Sequence, residues 1–251
     1  MNQRRESQQL IALQQLIDRI KPRALGRDLI RIGDPSDGGY LIPDDLTGIA
    51  GCFSPGVSTI MTFETMLAKW YGIPSYLADF SVENAPVDNS YFDFEKKYLG
   101  IRDDISTMRL EEWFDRKAGI DTTPDYILQM DIEGAELSVL VDTPCRVLRR
   151  FRIMVIEFHG MQMLLNPRWR KFLEAIFDKL LDDFSVAHIH PNNCCGVSNL
   201  GDLVIPKVFE MTFYRNDRVA LDTRKLTYPH PLDHKNVPHK DCLVLPCCWW
   251  P

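Results

Sequence analysis

Three acidic residues, Asp131, Glu133 and Glu136, stand within six positions in the segment DIEGAE at 131–136. The segment follows an apolar run of strand length, and doubly wound α/β folds bind ligands at the carboxyl ends of their strands. Gly134 lets the backbone come close to a ligand at this point. Solvated loop carboxylates are the alternative, but acids packed beside an apolar strand favour a reactive site.

Two later apolar runs carry histidines that could act with these carboxylates. Glu157 and His159 alternate in one run, and His188 and His190 alternate in the other, so each pair points to one face of its strand. Imidazole titrates near neutral pH, which suits a general base, although any one of these histidines could instead be structural. The four residues would also suit a divalent ion, but we expect no bound metal.

A glycine turn marks a candidate cofactor site. Gly56 stands between a predicted strand and a helix, where backbone N–H groups and the positive helix end favour an anionic or carboxylate-bearing ligand. Asp79, twenty-three residues later, ends the next strand and could accept both hydroxyl protons of a ribose. The GxGxxG motif of nicotinamide enzymes is absent. We therefore expect a nucleoside-type cofactor, and expect Gly56→Val to block it without disturbing the fold.

The spacing of apolar residues predicts the elements that position these groups. Between residues 6 and 21 they form one helical stripe, and the turn at 37–39 joins two short strands as an ordinary hairpin or a lip over the cofactor. From residue 49 strands and helices alternate, which predicts an α/β domain with a parallel sheet. The predicted strands are 49–54, 75–80, 126–131, 153–159, 186–190 and 209–214, and a helix covers 169–181.

Composition limits the class of protein. With 251 residues, 45% of them hydrophobic, the chain can bury the core of one globular domain. A net charge of −6 argues against general binding to nucleic acid, which needs a basic surface. Seven cysteines without a CxxC motif predict reduced thiols, and no apolar run reaches the roughly 18 residues of a membrane span. We expect a cytoplasmic protein without a secretory signal, a nucleic-acid partner or a membrane span.

Several of these segments together resemble the FkbM-type methyltransferase family. The resemblance covers about residues 30–215, and the DIEGAE segment is its most specific part. The matching pieces are DGGYLIP at 37–43, SPGVSTIMTFE at 54–64, LQMDIEGAE at 128–136, VIEFHG at 155–160, HIHPNNCCG at 188–196 and FEMTFYR at 209–215.

The resemblance implies a class I methyltransferase Rossmann-like α/β fold, with a mostly parallel seven-stranded sheet and helices on both faces. An N-terminal helix and hairpin would be added to this core. It further implies S-adenosyl-L-methionine as methyl donor and a hydroxyl acceptor on a sugar, glycan or glycosylated natural product. We expect an N-terminal extension over 1–48, a methyltransferase domain over 49–221 and an irregular tail over 222–251 packed on the domain.

The resemblance also assigns roles by position. It places Asp131 and Glu133 at the reacting centre. From strand position, His159, which ends a central strand next to the DIEGAE strand, is the expected proton acceptor, and His188 on a later strand of the same edge is the rival base. The order of elements in the fold places an adenine-facing turn at Asp104 and Ile105. Residues expected at the cofactor are Ser54, Gly56, Glu64, Asp79, Asp104, Ile105 and Asp131.

The expected function is an O-methyltransferase, a transferase that uses a small-molecule or glycan substrate; a homodimer is left open. Two alternatives remain. One is a catalytically inactive binding or scaffold member of the fold. The other is a metal-dependent enzyme, a hydrolase or oxygenase, that uses the His/Glu group at Glu157, His159, His188 and His190.

Overall fold

The computed structural model describes residues 2–119, 123–220 and 222–250, with side chains from residue 6 onward. Residue 221, at the end of the predicted methyltransferase domain, and Pro251, at the end of the predicted tail, lie outside the described residues. The helices are α1 (Asn2–Ile20), α2 (Thr62–Met66), α3 (Leu110–Ala118), α4 (Glu136–Asp142), α5 (Cys145–Leu148) and α6 (Pro167–Leu181). A π-helical turn covers Leu67–Tyr71, and 3-10 turns cover Met161–Leu165, Asn216–Arg218 and Cys247–Trp249.

The strands match the predicted ones closely. Each of the six predicted strands has a counterpart whose bounds differ by at most two residues, because alternating or continuous apolar runs mark buried strands. The strands are β1 (Leu29–Ile32), β2 (Tyr40–Pro43), β3 (Ile49–Pro55), β4 (Ser75–Ala78), β5 (Phe92–Glu95), β6 (Tyr98–Gly100), β7 (Thr107–Arg109), β8 (Asp125–Met130), β9 (Phe151–His159), β10 (Phe184–Pro191), β11 (Val197–Leu200), β12 (Leu203–Pro206) and β13 (Val208–Arg215).

The main sheet has seven strands in the order β10-β13-β9-β8-β3-β4-β5. Four neighbouring pairs are parallel, but both pairs that include β13 are antiparallel. The sheet is therefore mixed, and the expectation of a mostly parallel sheet is wrong. The reason is the connection before β13, which is the small hairpin β11-β12 rather than the crossover helix that a parallel neighbour requires.

The sheet is covered on both faces, and the alternation along β9 shows which residues serve each face. Met154 and Ile156 lie in the larger apolar cluster, which includes residues of α1, α3, α4, α5 and α6. Val155 lies in a smaller cluster with the hairpin β1-β2 and with α2. Because strand side chains alternate, Glu157 and His159 point to the hairpin side. The predicted polar pair therefore lies away from the main helical layer.

Helix α1 packs on the helical layer through the predicted stripe. Leu13, Leu16, Ile17 and Ile20 are buried there, which confirms the periodicity in the sequence. The stripe contacts α6, as expected for an amphipathic helix that covers a domain. Of the helices that the structure describes, none has both the length and the apolar content required to cross a bilayer.

The stretch 222–250 is irregular apart from its last 3-10 turn. Trp249 is fully buried, and its indole N–H donates to the carbonyl of Val204 at 2.9 Å. Trp250 stacks on Tyr228 with ring centroids 3.9 Å apart. These contacts confirm that the tryptophans are covered, whereas the division of the chain into three domains stays a prediction.

Candidate functional site

A cavity of about 500 Å³ opens beyond the carboxyl ends of β3, β4 and β8. Gly56, Asp79 and Asp131, which directly follow these three strands, line it together. The volume lies within the ~300–1,000 Å³ that small-molecule sites occupy. The turn of the hairpin β1-β2 contributes Asp37 and Gly38 to the wall. This placement favours the hairpin as a lip over the cavity, one of the two roles that the sequence left open.

The backbone geometry at position 56 requires glycine, whether or not a ligand is bound. It has φ +86°, and a Cβ at this position would lie 1.6 Å from the carbonyl oxygen of Asp131. The turn after β3 therefore passes directly over the end of β8, and only glycine leaves room for that carbonyl. The expectation that Gly56→Val would leave the fold intact is wrong, because the side chain would strike the backbone before it met any ligand.

Ser54 lies beneath the cavity and supports Glu64, which lines it. The Ser54 hydroxyl is hydrogen-bonded to Glu64 and, at 2.6 Å, to Oε1 of Gln129. Burial raises the pKa of Glu64. A hydroxyl has a single proton, so a neutral Glu64 that donates to Ser54, which then donates to Gln129, satisfies all three groups. The amide Nε2 of Gln129 donates in turn to the hydroxyl oxygen of Tyr40 at 3.3 Å, which extends the series of hydrogen bonds.

Asp79 is held rigidly at the cavity wall. Its Oδ2 accepts the backbone N–H of Ser58 at 2.8 Å, and its Oδ1 accepts that of Ser81 at 2.7 Å. Each carboxylate oxygen can accept a further hydrogen bond. The side chain is therefore preorganised to receive a pair of neighbouring hydroxyl groups, as the ribose of a nucleoside presents them.

Asp104 and Ile105 are not at the cavity. Ile105 is 93% exposed, and Asp104 accepts the backbone N–H groups of Ser106 and Thr107 in a surface turn. Tyr98 and Leu99 line the cavity instead. Both belong to the short strand β6, which the sequence pattern did not predict. The position of an adenine-facing turn stays a prediction.

His159 lies among four carboxylates at the end of β9. Its Nδ1 is 3.0 Å from Oε1 of Glu136, and its Nε2 is 3.5 Å from Glu133 and 3.9 Å from both Asp131 and Glu157. Asp131 and Glu133 line the cavity, whereas His159 stands immediately behind them. Oδ1 of Asp131 is buried without a hydrogen bond among the described residues. A buried, unpartnered carboxylate oxygen indicates that a donor is expected there.

Glu136 is the residue whose role sequence reasoning missed. Its Oε1 accepts the backbone N–H groups of Ile132 and Gly134 at 3.1 and 3.0 Å, in addition to facing His159. The turn that makes this possible is unusual, since Glu133 has φ +55° and Gly134 φ +105°. Glu136 then begins α4 with its side chain fully buried. The third carboxylate of DIEGAE was visible in the sequence, but its geometry was not.

The electrostatics of this group raise the pKa of both Asp131 and His159. Burial raises the pKa of Asp131 to about 7; His159 opposes this rise, and Glu133 adds to it. Burial alone would lower the pKa of His159, but the hydrogen bond to Glu136 and the neighbouring carboxylates raise it above its ordinary value. Asp131 therefore titrates near neutral pH beside a histidine whose protonated form is stabilised, and perturbed pKa values of this kind are typical of proton-transfer sites.

The structure divides the predicted metal group into two parts. Oxygen and nitrogen atoms of Asp131, Glu133 and His159 lie within 4.8 Å of one another, and Glu157 is beside them. His188 and His190 instead lie with Asp233. The group of four that the sequence proposed for a metal is thus not assembled as one site.

The register of the sheet explains where His188 lies. It pairs with Thr212, which pairs with Val155, whereas His159 pairs with Val208. His188 is therefore level with a residue four positions before His159, roughly 13 Å back along the strand direction. The structure does not bring it to the cavity.

Comparison with known proteins gives one family match. No curated protein matches the chain. Residues 65–179 match the family model of the methyltransferase FkbM domain. The matched stretch includes Asp79, Asp131, Glu133, Glu136 and His159 and ends before β10. The resemblance to the FkbM methyltransferases is therefore confirmed over this part of the chain, and the matched domain supports a methyltransferase.

Proposed function

We propose that the chain is an S-adenosyl-L-methionine-dependent O-methyltransferase that acts on a hydroxyl of a sugar, glycan or glycosylated natural product. One observation carries the proposal. His159, which the buried Glu136 orients, stands behind the cavity carboxylates of Asp131 and Glu133. The wall of the same cavity also holds the preorganised Asp79. This arrangement would provide a base directly beside a nucleoside site.

Three features of the cavity fit the cofactor. Asp79 would accept the ribose hydroxyls, and Tyr98 and Leu99 would offer apolar surface to the adenine ring. Glu133, together with the ionised form of Asp131, would place negative charge at the wall where a positively charged sulfonium would be stabilised. When bound, the cofactor supplies a methyl group that is transferred to an oxygen by in-line displacement.

The residues of the chain then supply the proton acceptor. Glu136 accepts the Nδ1–H of His159, which leaves the lone pair of Nε2 free on the side of Glu133. The acceptor hydroxyl gives its proton to Nε2 as its oxygen gains the methyl group, and the positive charge passes to the imidazolium. Neighbouring carboxylates stabilise that imidazolium, as the raised pKa of His159 indicates.

A hydroxyl-rich acceptor suits the polar part of the wall. Asp37 and Glu133 line the cavity, and Oδ1 of Asp131 lacks a donor among the described residues. Sugar hydroxyls are donors that satisfy such oxygens. These groups support a sugar-like acceptor over an apolar one.

A divalent ion is the rival explanation for the same group. Asp131, Glu133 and His159 could bind one, and the ion would lower the pKa of the acceptor hydroxyl without a base. Glu136 orients Nε2 of His159 toward the carboxylates under either explanation, because metal-bound histidines also donate their other N–H to a carboxylate. The EDTA test below separates the two.

Calorimetric titration with S-adenosylhomocysteine tests the proposal, together with transfer of labelled methyl to a panel of sugars and glycosides. We expect His159→Gln to keep the affinity for S-adenosylhomocysteine and to lose turnover by about 100- to 10,000-fold. Asp79→Asn should weaken binding, and the exposed His239→Gln is the control. Absence of S-adenosylhomocysteine binding in the unmodified chain would contradict the proposal. Loss of turnover in EDTA that Mg²⁺ or Mn²⁺ restores would replace the base by a metal.

A further inference from the structure

The stretch 222–250 meets the sheet at two histidines of β10. His188 and His190 point to the face opposite the main helical layer, because a bulge between Val186 and His188 shifts the alternation of the strand. Asp233 lies against both of them. Its Oδ1 is 2.8 Å from Nε2 of His188 and 3.5 Å from Nδ1 of His190. Two imidazoles and one carboxylate thus converge from segments far apart in the sequence.

The spacing of these atoms suits a metal ion. Three potential ligand atoms, one from each residue, lie within 4.8 Å of one another. Zinc bound tetrahedrally to nitrogen and oxygen holds its ligand atoms about 3.3–3.5 Å apart, so small side-chain adjustments would complete the site. Oδ2 of Asp233 accepts the backbone N–H of His230 at 2.8 Å. This second contact fixes the carboxylate and leaves Oδ1 directed at the histidines.

Unpartnered nitrogen atoms indicate that the cluster lacks a ligand. The His188 side chain is 3% exposed and meets Asp233 through Nε2, and its other ring nitrogen, Nδ1, directed away from this carboxylate, forms no hydrogen bond among the described residues. Both ring nitrogens of His190 are likewise buried without a hydrogen bond among the described residues. Buried polar atoms are nearly always partnered in proteins, and exceptions mark a bound ion, a water or a functional site.

A small cavity of about 70 Å³ adjoins the cluster. His190 and Asp233 line it, together with His234 and Cys242. This volume exceeds the roughly 10–15 Å³ that one water requires, so it offers a further coordination position. Imidazole and thiol groups favour zinc and similar transition metals over magnesium or calcium.

We propose that His188, His190 and Asp233 bind one divalent transition-metal ion, zinc by the preference of these ligands. The ion fastens the stretch 222–250 to β10, and its open position faces the small cavity. The site is independent of the proposed methyl transfer, since it lies on a different register of the sheet from His159. The rival explanation is that Asp233 joins the segments by hydrogen bonds alone.

Metal titration of the EDTA-stripped full chain tests the proposal, with Zn²⁺ in competition with an indicator and with Co²⁺ followed by visible absorption. We expect one equivalent to bind, and expect His190→Gln to weaken binding by about 100-fold or more. His159→Gln and the exposed His239→Gln should bind as the unmodified chain does. Circular dichroism and S-adenosylhomocysteine affinity verify folding of each variant.

Two results would overturn the proposal. One is an unmodified chain that binds neither ion; the other is binding that His159→Gln removes and His190→Gln retains, which would place the ion at the larger cavity. Limited proteolysis provides a test that needs no variant. Zn²⁺ should slow cleavage within 222–250 in the unmodified chain, and equal rates with and without Zn²⁺ would contradict the proposed fastening.

Discussion

Two histidine–carboxylate pairs lie on the hairpin side of the sheet, and they differ in what the other imidazole nitrogen meets. His159 faces Glu136 at 3.0 Å through Nδ1, and His188 faces Asp233 at 2.8 Å through Nε2. The remaining nitrogen of His159 lies 3.5 Å from Glu133 at the wall of the large cavity. The remaining nitrogen of His188 is buried without a hydrogen bond among the described residues.

The carboxylates of the two pairs are also held differently. Glu136 is fixed by backbone N–H groups of the turn that lines the cavity, so the pair belongs to one local structure. Asp233 comes from a segment 45 residues beyond His188 and is fixed there by the N–H of His230. A histidine–carboxylate pair alone therefore does not identify a catalytic base. The direction of the second nitrogen and the origin of the carboxylate separate a proposed base from a proposed anchor.

The largest effect that would sharpen this comparison is expected for Glu136→Gln. The amide cannot act as a charged acceptor for Nδ1–H, so the tautomer of His159 is no longer fixed and turnover should fall by about 100- to 10,000-fold. S-adenosylhomocysteine affinity should change little. Transfer of labelled methyl measures the effect, with Glu112→Gln on the surface of α3 as the control. If turnover is retained, Glu136 does not orient a catalytic base, and the distinction between a proposed base and a proposed anchor is lost.

A smaller effect, on stability, is expected for Asp233→Asn in metal-free protein. The variant should lower the free energy of unfolding by about 1.5–3 kcal/mol, the range for hydrogen bonds to a charged group. Burial would raise the pKa of Asp233, but His188 and His190 hold it below its ordinary value. Because the pKa of Asp233 is lower in the folded protein than in the unfolded chain, where it is about 3.9, ionised Asp233 stabilises the fold above that pH. This stabilisation is lost as the pH falls toward the folded-state pKa. Urea unfolding at pH 7 and pH 3 checks this, since the difference in unfolding free energy between the two proteins should be smaller at pH 3 than at pH 7.

The smallest effect is expected for Glu133→Gln, a test of the environment of His159. Turnover should rise with pH as His159 loses its proton, with a midpoint above the ordinary histidine value because its pKa is raised. Removing the charge of Glu133 makes the imidazolium less stable, so the midpoint should move to lower pH. The Glu133 side chain is 89% exposed and screened by solvent, so we expect a shift of about half a unit or less. A shift to higher pH would exclude His159 as the titrating base.

The elements were predictable from the sequence to the extent that apolar spacing determines them. The stripe of α1 and the long strands β9 and β13 followed from periodicity. The direction of each strand could not be predicted in this way, because β13 has the same apolar pattern whichever way it runs. The short strand β6 was also missed, since three residues carry too little periodicity, and with it the contribution of Tyr98 to the cavity.

Both the members and the geometry of the candidate site were predictable only in part. Gly56, Asp79 and Asp131 reach one cavity because each follows a parallel strand of the same sheet. The contact of Glu136 with His159 depends on the left-handed conformation of Glu133, which sequence spacing does not reveal. The partner of His188 could not be predicted, because nothing in an irregular segment fixes where Asp233 lies.

The two edges of the main sheet show how the fold limits unwanted self-association. At one edge β5 carries Asp93 and Glu95, and such charges oppose pairing with a strand of another molecule. At the other edge β10 is bent by the bulge after Val186, whose carbonyl already accepts the N–H of Arg23 at 2.9 Å. A bulged, partly occupied edge is a poor template for a further strand. The irregularity that turns His188 to its face of the sheet thus also opposes aggregation.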